Sequence, residues 1–142
     1  MSKSADAGLR ILLVEDEPAN RALIRAILAR AREAALEGYV LLEAGTIAEA
    51  RAILASEPLD VVLLDVRLPD GTGLDLAAEI RASQTATARI VIVSASVLPA
   101  ERSRAIESGA DAFLGKPFGA VELVETLTAL RPAGAWSRPR RE

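Results

Sequence analysis

The 142-residue chain predicts an α/β domain: a five-stranded parallel sheet in the strand order 2-1-3-4-5, with five helices on its two faces. Three observations predict it. Short aliphatic runs alternate along the sequence with segments whose apolar residues recur at helical spacing. The runs Ile11–Val14, Val61–Leu64 and Ile90–Val93 carry no polar residue on alternate positions. They suit strands covered on both faces, as in the centre of a parallel sheet. Each run also ends in polar residues and a loop or helix-start signal, which gathers that chemistry along one edge of the sheet.

The elements follow in order. Residues 1–8 are a small, polar leader. Ile11–Val14 is strand 1, ended by Glu15-Asp16-Glu17-Pro18. Proline suits the first turn of a helix, and acids suit the positive end of its dipole. Leu23, Ile24, Ile27, Leu28 and Ala31 mark helix 1, which the spacing carries to Gly38. Tyr39–Leu42 is strand 2. Thr46 with Glu49 three residues later reads as a capping box, and the helix it opens runs to about Ser56, before Pro58. Asp60–Asp65 is strand 3, followed by the loop signal Pro69-Asp70-Gly71. Leu74, Ala77, Ala78 and Ile80 mark helix 3, ending near Ser83, and 84–88 is a polar loop. Ile90–Val93 is strand 4, ended by Ser94-Ala95-Ser96. Pro99 opens helix 4, which stops at Gly109. Ala112–Leu114 is a brief strand 5, Gly115–Gly119 a turn, and 120–130 the last helix. Residues 131–142 form a basic tail that need not be ordered. One domain is expected over 9–130. Strict alternation requires right-handed crossovers. With the most aliphatic strands central, the ends of strands 1 and 3 lie side by side where the strand order reverses.

Composition removes whole classes of chemistry. The chain has no cysteine and no histidine. Thiol nucleophiles, imidazole bases, Ser-His-Asp triads and zinc sites of the usual ligands are therefore excluded. Any metal must be held by oxygen, which favours magnesium, calcium or manganese. Net charge is −3, so the domain gives no electrostatic reason to expect nucleic-acid binding. No apolar run approaches the roughly 18 residues of a membrane span, and no secretory core is visible. A cytoplasmic protein is expected. No P-loop motif is present.

The predicted edge collects one set of groups. Strand 1 delivers Glu15 and Asp16, strand 3 Asp65, strand 4 Ser94, and Lys116 follows strand 5. One like-charge pair at 4 Å costs roughly 4 kcal/mol at an effective dielectric near 20. A trio of acids there either stays partly protonated or takes a cation. An oxygen-only, half-open site suits Mg²⁺. Lys116 and Ser94 add a charge and a donor for phosphoryl oxygens, the equipment of phosphoryl transfer, with Asp65 as nucleophile. Each group alone has a plainer reading. The acids also suit a helix N-terminus, Ser94 a strand-end hydroxyl bonded to backbone, and Phe113 simple packing. Their company separates the readings.

The segments Val14–Pro18, Leu64–Gly73, Ser94-Ala95 and Lys116-Pro117-Phe118 together resemble the receiver domain of bacterial two-component response regulators, over about residues 9–130. Chemotaxis receivers have the 2-1-3-4-5 order, a flavodoxin-like fold, so the order and the resemblance are one expectation. The resemblance implies Asp65 as phosphoacceptor, with Asp16, Glu15, Asp65 and the backbone carbonyl of Arg67 around Mg²⁺. It implies Ser94 and Phe113 as hydroxyl and aromatic switch, Ala95 leaving the approach to Asp65 open, and Lys116 contacting the phosphate, with a cis bond to Pro117. In that family the positions of Arg67 and Ser96 flank the phosphoryl group and tune its loss. The resemblance implies a histidine kinase or histidine phosphotransfer protein as phosphodonor. An unidentified downstream protein reads the helix 4–strand 5–helix 5 face. The resemblance implies that catalysis is limited to the domain's own phosphorylation and dephosphorylation. The charged dimer contacts of one DNA-binding subfamily are not evident, since Ala112 stands where Asp is usual and helix 120–130 has no arginine. A haloacid-dehalogenase-type hydrolase usually has a second acid two residues after its nucleophile, where this chain has Arg67. No output domain is visible, which leaves a stand-alone receiver or part of a longer protein.

Overall fold

The computed structural model describes residues 8–83, 87–96 and 98–130. The expected leader up to residue 7, most of the 84–88 loop and the tail with Trp136 lie outside the described residues. The sheet strands are β1 (Arg10–Val14), β2 (Val40–Ala44), β3 (Val61–Asp65), β4 (Arg89–Ser94) and β5 (Ala112–Gly115). The helices are α1 (Pro18–Arg30), α2 (Ile47–Ser56), α3 (Gly73–Ala82), α4 (Pro99–Glu107) and α5 (Ala120–Ala129). All sheet pairs are parallel. The order is β2-β1-β3-β4-β5, as the sequence predicts.

Period-2 alternation sorts the aliphatic side chains onto two faces. Ile11, Leu13, Val61, Leu63, Val91 and Val93 meet α1 and α5 through Ile24, Leu28, Leu123 and Leu127. Leu12, Val14, Val62, Leu64, Ile90 and Ile92 meet α2, α3 and α4 through Ala50, Leu76, Ala77 and Ala105. The edge strand β2 is only half-buried before Ala44, as the weaker aliphatic run foretold.

Three local outcomes differ from expectation. Helix α1 stops at Arg30, eight residues short of Gly38, because Ala31 turns extended. A 3₁₀ turn at Ala34–Leu36 follows and drops Leu36 into the core under α1. A continued helix would not place it there. Gly38 then turns into β2 at φ 75°. The capping box at α2 is shifted. Thr46 Oγ1 accepts the Glu49 N–H at 3.0 Å, but the Glu49 carboxylate accepts from Gly45, not Thr46. The third difference is a two-stranded hairpin, Arg67–Leu68 with Gly71–Thr72, between β3 and α3.

The hairpin tip supplies an unexpected cap. Asp70 accepts the N–H groups of Ile47 and Ala48 at 2.8 and 3.1 Å. These are orphan donors of the first turn of α2. The Ile47 bond, first, and then the Ala48 bond hold the Asp70 carboxyl below its ordinary value. A carboxylate with a depressed folded pKa stabilises above its unfolded pKa, and that contribution is lost as pH falls through the folded pKa. Asp70→Asn is therefore expected to lower the thermal midpoint at neutral pH. The gap between variant and wild type is expected to close below the carboxylate range, as followed by circular dichroism melts across pH.

Candidate functional site

Sheet register places the site. Val14 lies opposite Leu64, so the residues that follow, Glu15 and Asp65, leave adjacent strands together. Asp65 lies opposite Val93, and Ser94 opposite Gly115, one residue before Lys116. Backbone bonds extend this order past the strand ends. The Glu15 N–H reaches the Ala44 carbonyl at 2.9 Å, and the Lys116 N–H reaches the Ser94 carbonyl at 2.8 Å. The Lys116–Pro117 bond is cis, as the resemblance implied.

Carboxylate oxygens of Glu15, Asp16 and Asp65 lie within 4.8 Å of one another. Glu15 and Asp65 are 2% and 8% exposed, whereas Asp16 is open to solvent. Lys116 Nζ bridges the two buried acids, at 3.2 Å from Glu15 Oε1 and 3.3 Å from Asp65 Oδ2. The second Glu15 oxygen accepts the Glu17 N–H at 3.0 Å. Burial first, then the charge of Glu15, push the Asp65 carboxyl above its ordinary value, against Lys116 and the Arg67 N–H. Burial works to lower the Lys116 ammonium, but Asp65 and Glu15 outweigh it and hold it above its ordinary value. Three acids face one ammonium, and all the donors are oxygen. Such a set fits a hard divalent cation that keeps several waters, Mg²⁺ above all.

The structure thus brings Glu15, Asp16, Asp65 and Lys116 into one cluster. Ser94 is buried, and its Oγ accepts the Ser96 N–H at 3.1 Å, the backbone-bonded arrangement of a strand-end hydroxyl. Phe113 is half-buried on the α4 side of the sheet. The Arg67 side chain is exposed, while its backbone touches the site through the bond to Asp65.

Two contributors went unread in the sequence. Arg21 Nε donates to the Glu15 carbonyl at 2.7 Å and holds the β1–α1 loop down, and its guanidinium fills the space a Cβ at Gly45 would need. An arginine in the first turn of α1 gives no local sign of this. Gly73 sits where any Cβ would collide with the Asp65 carbonyl oxygen. Its presence in the loop after Asp65 was the available signal.

Residues 11–128 match the family described as the response regulator receiver domain. The chain belongs to that family. It is the receiver domain of a two-component response regulator. The receiver is 33% identical over 130 residues to the KDP operon transcriptional regulatory protein KdpE of Escherichia coli, covering 91% of this chain and 54% of that protein. The chain spans about half the length of the curated relatives it matches. Among solved structures, it matches the receiver domain of the sensor histidine kinase PA1611 from Pseudomonas aeruginosa at 31% identity and a TM-score of 0.75, over 87% of this chain and 98% of that one. That structure has magnesium coordinated in its active-site cleft. The non-phosphorylated HemR receiver from Leptospira biflexa is 32% identical with a TM-score of 0.75, over 94% and 99% of the two chains. Among the described residues no helix is long and apolar enough to cross a membrane.

Removing Lys116 leaves Glu15 and Asp65 facing each other. Lys116→Met is expected to destabilise the receiver in metal-free buffer, by less than the about 3–5 kcal/mol lost at a fully buried broken pair, because the ammonium is partly wet. Millimolar Mg²⁺ is expected to recover part of that loss and to raise the melting temperature of wild type. Neither recovery is expected when Asp16 is also changed to Ala.

Proposed function

We propose that Asp65 accepts a phosphoryl group and that the domain passes the event to a partner through α4, β5 and α5. The observation that carries this reading is the cluster itself: three carboxylates within 4.8 Å, two of them bridged by Lys116. A carboxylate oxygen of Asp65 attacks phosphorus. The phosphorus–nitrogen bond of a donor phosphohistidine breaks, and the imidazole leaves with the electron pair. With a small donor such as acetyl phosphate, the phosphorus–oxygen bond breaks instead. Glu15, Asp16, Asp65 and the Arg67 carbonyl are the groups that would hold Mg²⁺. When bound, the ion neutralises charge on the phosphoryl oxygens.

Lys116 is already on Asp65 Oδ2. It is positioned to follow the new charge from the carboxylate to a phosphoryl oxygen. Ser94 would exchange the Ser96 N–H for a phosphoryl oxygen, and Phe113 would move into the space behind it. Such switching is a shift between two packings, biased by differential contacts. Arg67 and Ser96 would flank the phosphoryl group. The donor is a histidine kinase or a histidine phosphotransfer protein, the receiver of the signal a downstream protein, and the setting the cytoplasm. The domain catalyses only its own loading and unloading.

Acetyl phosphate with Mg²⁺ is expected to add the mass of one phosphoryl group to wild type and none to Asp65→Ala, read by intact mass. Lys116→Met is expected to slow labelling by about 100-fold, the usual loss of one preorganised charge-stabilising donor. A label that persists on Asp65→Ala ends the assignment. Arg67→Ala is expected to change the lifetime of the label in a chase without donor, and an unchanged lifetime removes that side chain from the site.

A further inference from the structure

On the exposed side of α4, Arg102 and Ile106 lie four residues apart, with Ile106 63% exposed, and Leu98, just before the helix, is 66% exposed. Residues so spaced share one stripe of a helix. The neighbouring Arg104 pairs with Glu101 at 3.3 Å. Arg102 has an aromatic partner instead: its guanidinium carbon lies 4.9 Å from the centroid of the Phe113 ring. That is within the range of a cation–π contact.

The ring stands where the proposed switch must act. Phe113 lies opposite Ile92, and Ser94 opposite Gly115, in the β4–β5 ladder. Alternate residues share a face, so the Ser94 side chain and the Phe113 ring lie on the same side of the sheet. Ile92, Phe113 and Ala105 of α4 belong to one core cluster on that side. The ring therefore has the buried side of α4 on one flank and an arginine cation over its surface.

We propose that Arg102 is a latch on this switch, holding the Phe113 ring at the α4 surface until loading of Asp65 draws it inward. The proposal rests on the reading of Ser94 and Phe113 as a switch pair. A contact made in one of two packings shifts the balance between them by its own worth. A cation–π contact at an exposed site corresponds to a factor of about two to five in an equilibrium constant. Arg102 acts through Phe113 and so is a positioning residue.

The test uses the two phenylalanines of the chain. Labelling with 4-fluorophenylalanine gives two fluorine resonances, and Phe113→Tyr identifies the one from residue 113. Beryllium fluoride with Mg²⁺ serves as a non-hydrolysing phosphoryl mimic. On loading wild type, the Phe113 resonance is expected to move to a second position. In Arg102→Gln, the unloaded protein is expected to populate that position about two- to fivefold more than wild type. The half-saturating beryllium fluoride concentration is expected to fall by the same factor. Arg102→Lys, which keeps the cation, is expected to lie between. Melting temperatures of the three proteins verify that each is folded. If the Phe113 resonance moves on loading but Arg102→Gln matches wild type, or needs more beryllium fluoride, the latch is overturned and the switch reading stands. If the resonance stays fixed in wild type while Asp65 is labelled, the switch reading falls and the latch with it.

Discussion

Three carboxylates gathered within 4.8 Å of one another, two of them on a single ammonium, are the constraint to which the rest of this receiver answers. Left free, Glu15, Asp16 and Asp65 would separate, since one like-charge pair at 4 Å costs roughly 4 kcal/mol at an effective dielectric near 20. The sheet does not permit it. Glu15 and Asp65 extend β1 and β3, whose aliphatic side chains are wholly buried on both faces. One fully buried aliphatic side chain contributes about 1.5–3 kcal/mol, so the core beneath the acids far outweighs their repulsion. The unfavourable charge stays confined to the edge, where Lys116 bridges Glu15 and Asp65.

Confinement also needs the loops to be exact, and bonds to backbone groups supply that. Arg21 clasps the Glu15 carbonyl, and the Glu17 N–H clasps the Glu15 side chain. The Gly73 N–H bonds the Val66 carbonyl at 2.8 Å, and its missing Cβ leaves room for the Asp65 carbonyl. Asp70 ties the hairpin after Asp65 to the start of α2. Each contact fixes main chain next to a site residue. None depends on a long side chain finding one rotamer in water, apart from Arg21, whose guanidinium is wedged against Gly45.

Much of this was legible in the sequence because it is written locally. The aliphatic runs before Glu15, Asp65 and Ser94 declare strands buried on both faces, and the polar residue that ends each run declares its edge. The contacts that escaped join distant positions. Asp70 reads as a turn residue, and its role as a cap for Ile47 and Ala48 exists only once β2–α2 and β3–α3 lie side by side. The helical period through Ala31 continues toward Gly38, yet the burial of Leu36 by the sheet ends the helix at Arg30. The Arg102–Phe113 contact joins positions eleven residues apart, and nothing near Arg102 in sequence names Phe113 as its partner.

The two ends of α4 are held unequally. At the amino edge of the sheet, Arg81 of α3 donates to the carbonyls of Gly109 and Ala88 at 2.8 and 2.9 Å and pairs with Asp111. Asp111 in turn accepts the Ile90 N–H at 2.8 Å. Gly109, at φ 102°, lies so close to the Arg81 side chain that a Cβ there would collide with it. The end of α4 is thus pinned between α3, β4 and β5. At its start, Leu98 makes no side-chain cap and is largely exposed, and Ala105, near the pinned end, is the residue α4 buries. Low burial and an uncapped terminus mark a segment that opens at small free-energy cost. The start of α4 is thus held less firmly than its end. The Arg102–Phe113 contact stands between the loose end and the fixed one.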